Sequence, residues 1–159
     1  MSLFAKLAKK LTERYSKFET KTETINGIDY FVIVNPHWEE NIRVSDEDGI
    51  IFFFSTQHAH FDYCGSDDEN IDYLVEYIDD FIDGRQVAIE FFEGDNAIFG
   101  GSRYLGDINT LSAEEVYKCF VGGDQPLDDV LCKQPKSRCS IRGWDAIHNK
   151  DIDFIVENA

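Results

Sequence analysis

The chain has 159 residues and carries 31 Asp and Glu against 15 Lys and Arg, for a formal net charge of −16 at pH 7. A field of that sign repels nucleic acid and anionic membrane surfaces, and it attracts basic proteins and cations. No run of the sequence approaches the roughly 20 apolar residues that a membrane-spanning helix needs. We therefore predict neither a nucleic-acid partner nor a membrane partner.

The composition is typical of a folded domain, since 43% of the residues are hydrophobic and 14% are aromatic. A chain of this length fits one domain. The four cysteines form no C-x-x-C pair, and the N-terminal segment lacks the unbroken apolar region of a secretory signal. We predict a single domain over residues 1–159, with reduced thiols, in the cytoplasm.

The first 21 residues differ in charge from the rest of the chain. Apolar residues recur at steps of three and four over residues 2–18, with bases on the other face, which predicts a basic amphipathic helix. Such a helix can bind a membrane surface or an acidic partner. The simpler interpretation is that it packs on the acidic core domain of residues 22–159, whose field attracts it.

Several short segments rich in β-branched and aromatic residues predict strands. One of them follows a turn signal at Asn26-Gly27, and two others flank a turn signal at Gly94-Asp95-Asn96. The predicted strands cover residues 28–34, 41–45, 50–55, 86–93, 97–105, 139–144 and 151–156. A capping-box pair, Ser112 and Glu115, predicts a helix from about residue 112 to 120.

The most regular helical pattern spans residues 68–83. Its apolar stripe is formed by Ile71, Leu74, Val75, Ile78, Phe81 and Ile82, with Asp67 or Asp68 as the N-cap and Gly84 after the C-terminus. Together, these elements predict an α+β fold: a mainly antiparallel sheet of about five to seven strands with helices packed on it, preceded by the N-terminal helix.

The polar face of this helix is acidic and has no Lys or Arg as an i,i+4 partner. Like charges at this spacing destabilise a helix, and acids near its C-terminus also oppose the helix dipole. Such a face suggests selection for binding a basic partner protein, while simple solubility is the other explanation. The predicted partner-binding residues are Asp72, Glu76, Asp79, Asp80 and Asp83.

A second cluster follows the apolar segment at residues 50–55. In an extended chain, His58, His60, Asp62 and Cys64 project to one face, and all four are transition-metal ligand types. The first three resemble part of the H-x-H-x-D-H signature of the metallo-β-lactamase-like hydrolases, with Tyr63 in the place of the last His. The resemblance implies a metal-dependent hydrolase. The other explanation is a strand end whose imidazoles make only local contacts.

The sequence therefore favours a non-enzymatic acidic binding or regulatory protein that engages a basic partner protein and needs no cofactor. An immunity-type inhibitor of a toxin is its concrete version. The alternative is a metal-dependent hydrolase that holds zinc or another divalent ion through His58, His60 and Asp62, with Cys64 as a further ligand.

Overall fold

The structure is a computed structural model that describes residues 1–62, 65–108, 112, 115 and 136–155. The chain forms two compact units, residues 1–83 and 84–159. The first unit contains α1 (Leu3–Arg14), β1 (Thr20–Ile25), β2 (Ile28–Ile33), β3 (Ile42–Ser45), β4 (Ile50–Phe54), β5 (Gln57–Phe61) and α2 (Asp67–Ile82). The second contains β6 (Gln86–Glu93), β7 (Asn96–Tyr104), α3 (Leu105–Ile108), β8 (Lys136–Arg142), a 3-10 helix (Ala146–His148) and β9 (Lys150–Ile155).

Helix α1 begins after Ser2, whose hydroxyl accepts a hydrogen bond from the Ala5 amide. A carboxylate from the β3–β4 turn, that of Asp46, accepts from the Phe4 amide at 3.0 Å and so satisfies a second N–H group of the first turn. The apolar face of α1 is buried, with Leu7 and Leu11 at 0% exposure. The N-terminal helix thus packs on its own unit, as the simpler interpretation predicts.

The first unit contains a five-stranded antiparallel sheet in which the strands follow their sequence order, from β1 to β5. Two-residue turns join β1 to β2 and β4 to β5. Asn26 and Gly27 both have positive φ in the first turn, and Ser55 has positive φ in the second. These tight turns fix the registers of the two hairpins, and β5 forms one edge of the sheet.

Helix α2 packs on β4 and β5 through its predicted apolar stripe. Its N-cap is Ser66 rather than Asp67 or Asp68. The Ser66 hydroxyl accepts a hydrogen bond from the Glu69 amide, as an N-cap does, and it donates one to the Glu69 carboxylate. At the other end, Gly84 has φ of 71°, the left-handed conformation expected after a helix C-terminus.

The second unit contains a four-stranded antiparallel sheet in the order β7-β6-β8-β9. Strand β6 lies between β7 and β8 and is buried from Gln86 to Phe91. Cys139 on β8 is a free thiol at 0% exposure, and burial raises its pKa to about 12. A buried thiol of raised pKa reacts poorly, so Cys139 is a structural residue.

The predicted α+β class, the antiparallel pairing and the N-terminal helix are confirmed. The described residues contain nine strands, which are the seven predicted strands together with β1 and β5. These strands form two sheets. The prediction of one domain stays a prediction, since the compactness of each unit does not decide how many domains the chain forms. The predicted helix at 112–120 lies outside the described residues except for Ser112 and Glu115, which form the expected capping box.

Candidate functional site

The acidic helix α2 is paired along one side with the basic face of α1. Lys10 contacts Asp72 at 3.1 Å, and Lys6 lies 3.7 Å from Asp67 and 3.9 Å from Asp68. The cations of α1 follow the acids of α2 in the same chain direction, so the two helices lie side by side and parallel. The bases missing from α2 at i,i+4 positions are therefore supplied by a helix more than fifty residues earlier.

The C-terminal end of this pairing is a more buried network around Asp79. The Asp79 carboxylate accepts hydrogen bonds from the Arg14 guanidinium and, at 3.0 Å, from the Tyr15 hydroxyl. The same hydroxyl lies 3.2 Å from the Val75 carbonyl oxygen. Tyr15 is 2% exposed, and its burial, reinforced by the negative charge of Asp79, raises the pKa of its phenol well above the usual range. The network thus couples the end of α1 to the last turns of α2.

This network predicts a loss of stability at alkaline pH. The folded-state pKa of Tyr15 is raised, so above the ordinary tyrosine pKa of about 10 the unfolded state loses this proton while the folded state keeps it. The contribution of the protonated Tyr15 hydroxyl to the free energy of unfolding is complete below that pH and declines as the pH rises further. We expect the free energy of unfolding of the wild type to fall more steeply between about pH 9 and pH 11.5 than that of Tyr15→Phe. Denaturant titrations at each pH measure this difference, and parallel curves would contradict it.

A second stripe of α2 lies outside both its apolar stripe and the set of acids paired with α1. It repeats at steps of three and four residues and therefore follows one face of the helix. It consists of Glu69, Tyr73, Glu76, Asp80 and Asp83. Tyr73 lies in its middle with 56% of its surface exposed, and Glu76 is also exposed. We call these five residues the outer stripe. It combines carboxylates with an aromatic ring, two features that suit a surface rich in Lys and Arg.

The structure thus divides the acidic face that the sequence predicts. Asp72 and Asp79 belong to the side paired with α1, whereas Glu76, Asp80 and Asp83 belong to the outer stripe. Their role in binding a partner stays a prediction. Sequence reasoning missed Tyr73, although its position outside the apolar stripe of α2 was a usable signal.

The predicted metal ligands are only partly brought together. His58 and His60 lie next to each other on the exposed side of β5, with ring centroids 5.3 Å apart. Asp62 follows the end of the strand, and Cys64 lies outside the described residues. In the described part of the chain, no group of three or more His, Cys, Asp or Glu side chains converges as metal ligands would. The metal-dependent hydrolase therefore stays a prediction.

The second unit contains a polar cluster that the sequence analysis does not single out. Arg142 contacts Asp151 at 2.7 Å, and the Arg138 guanidinium lies 4.3 Å from the centroid of the Phe92 ring. Although burial raises the pKa of Asp151, hydrogen bonds from Arg142 and Ser140 bring it below the usual value. The alternation of arginines with apolar residues along β8 was the available signal. These contacts join neighbouring strands and are sufficient to explain the cluster structurally.

Comparisons with protein-family models, with curated protein sequences and with solved structures find no match to this chain. Among the described residues, none of the helices combines the length and the apolar character needed to cross a membrane. The case for a function therefore comes from the geometry and charge of the chain's own residues.

Proposed function

We propose that the protein binds a basic partner protein through the outer stripe of α2. The observation that carries this proposal is the exposed Tyr73 between carboxylates on a helix whose other acidic side already receives a basic helix, α1. The α1–α2 pairing shows that this acidic helix accepts Lys and Arg side chains spaced along a neighbouring helix. The outer stripe presents the same chemistry to another molecule.

The charge of the whole protein supports the same proposal. The net charge of −16 increases the rate at which a basic protein encounters the surface, while the local stripe selects the orientation of the encounter. An exposed aromatic ring adds contact area and accepts cations on its face, which a purely acidic surface does not do. The proposed partner surface is thus a patch of Lys and Arg, with Tyr73 packed against their side chains.

An immunity-type inhibitor of a basic toxin is the concrete form of this proposal. Charge complementarity supports it, because an acidic inhibitor can cover a basic surface that a nuclease toxin uses to hold its substrate. A toxin domain encoded by a neighbouring gene would be the first partner to test.

Site-specific photo-crosslinking identifies the contact directly. A photoreactive amino acid at position 73 is expected to capture a protein with a basic surface from an extract of the source cells. The same amino acid at Tyr104 is the matched control, because Tyr104 is 52% exposed but lies in the second unit. Equal capture from both positions would argue against a defined site on α2.

Charge variants then test the stripe with the captured partner. Neutralising Glu76, Asp80 and Asp83 as Gln, Asn and Asn should weaken binding at least roughly tenfold at low salt and reduce the salt dependence of the affinity. A control variant with the same change in charge neutralises the exposed Glu39, Glu47 and Asp48, and it should stay within about twofold of wild type. If both variants weaken binding equally, the attraction is diffuse and the proposal fails.

A further inference from the structure

The two histidines of β5 form a pair that the outer stripe of α2 does not involve. Two-residue spacing on a strand places His58 and His60 on the same face, opposite Phe53 and Ile51 of β4. Both imidazoles are exposed. Within the described part of the chain, their contacts are with rings: His58 with Phe53 at 6.3 Å and the two histidines with each other. The two side chains are therefore accessible to a ligand from solvent.

The distance between the rings suits one metal ion. An ion bonded about 2.1 Å from one nitrogen of each ring would lie roughly 3.2 Å from each ring centroid. Two centroids 5.3 Å apart then subtend roughly 112° at the ion, close to the tetrahedral angle. The ring planes are inclined at 81°, so the two imidazoles are not stacked face to face.

We propose that His58 and His60 together bind one divalent transition-metal ion at the edge of the first sheet. Neutral imidazole nitrogens are ligands for Cu²⁺, Ni²⁺ and Zn²⁺, whereas Mg²⁺ and Ca²⁺ prefer oxygen. Water completes the coordination sphere, because the described residues bring no third His, Cys, Asp or Glu side chain to the pair. The short β4–β5 turn and the antiparallel register hold both histidines in place before the ion arrives.

The surroundings of the pair favour a cation. The negative field of the chain attracts cations, and Asp62 follows His60 by two positions, just beyond the strand. The contact with Phe53 restricts the ring of His58 on the side of β4. This site does not depend on the proposed binding of a basic protein, since it uses neither α2 nor α1.

Metal titration of protein without a polyhistidine tag tests the pair. Isothermal titration at neutral pH should show one Cu²⁺ or Ni²⁺ per chain, with Cu²⁺ bound more tightly than Ni²⁺ or Zn²⁺. His58→Ala and His60→Ala should each weaken binding at least roughly tenfold, because the second imidazole of a chelate acts at high effective concentration. The double variant should lose the site. Mg²⁺ should give no difference between wild type and variants.

The other two histidines of the chain provide the matched controls. His37→Ala and His148→Ala remove the same side chain elsewhere and should bind Cu²⁺ as the wild type does. Electron paramagnetic resonance of the Cu²⁺ complex should show coupling to two imidazole nitrogens, reduced to one in His60→Gln. Unchanged binding in the double variant, equal losses in the controls, or one ion per two chains would each overturn the proposal.

Discussion

Replacing Phe81 by Ala is expected to lower the free energy of unfolding of the first unit by about 3–5 kcal/mol. Phe81 is 0% exposed and lies at the centre of a ring cluster between α2 and β4. Its ring centroid is 5.2 Å from that of Phe52, 5.4 Å from that of Phe54 and 5.3 Å from that of Tyr77. The substitution removes these contacts and leaves a cavity that rigid neighbouring strands fill poorly. Urea denaturation followed by circular dichroism measures the loss.

Tyr73→Ala is the control for this prediction, because Tyr73 lies on the same helix with an exposed ring. Its free energy of unfolding should stay within about 0.5 kcal/mol of the wild type. That result would also show that any effect of Tyr73 on partner binding is not a loss of folding. A Phe81→Ala loss below about 1 kcal/mol would contradict the packing described for α2.

Replacing Leu11 by Ala is expected to destabilise the first unit by about 2–5 kcal/mol, because this side chain lies on the apolar face of α1 and is fully buried. This prediction separates two explanations for the position of α1. The helix contributes cations to α2, but its apolar face is what leaves water on folding. If burial dominates, Leu11→Ala costs far more than the removal of a charge. Chemical denaturation of the variant gives the value.

Charge variants of the same helix provide the comparison. Lys6 and Lys10 pair with acids of α2 while their side chains remain 40% and 51% exposed. Exposed pairs of this kind contribute about 0.2–1 kcal/mol each, and salt weakens them. Lys6→Gln and Lys10→Gln should therefore cost much less than Leu11→Ala. Equal costs would indicate that ion pairs rather than burial hold α1 in place.

The position of α1 also affects how the acidic surface is interpreted. Carboxylates such as Asp72 and Asp79 have partners within their own unit, so their acidity serves the fold. The outer stripe around Tyr73 is the part of α2 that lies outside this pairing with α1 and that contains an exposed aromatic ring. The proposed binding surface is accordingly narrower than the five acids that the sequence indicates.

The strands that the sequence predicts are those with apolar side chains on at least one face. Strand β1 was missed because its TKTETI sequence is mostly polar and only partly buried, so that it carries no alternation of apolar residues. The residues of β5 predict only an extended segment, because its two exposed histidines give no apolar signal. Both are edge strands, where pairing with one neighbour suffices and burial is incomplete.

The candidate site could be predicted from the sequence only where it depends on local spacing along one element. The acidic face of α2 follows from helical spacing, which is a local property. That Lys10 would meet Asp72, or that Tyr15 would donate to Asp79, requires two helices separated by five strands to lie side by side. The pairing of His58 with His60 was local and was predicted, but the distance between their rings needed the structure.

By itself, the sequence determined the α+β class, the two amphipathic helices and the strong negative charge. These follow from composition and from periodicities of two and 3.6 residues, which short segments carry on their own. Only the tertiary structure decided which acids pair with α1 and which belong to the outer stripe around Tyr73. The reason is that an ion pair depends on the distance between groups remote in sequence, and packing of buried side chains such as Leu11 and Phe81 sets that distance.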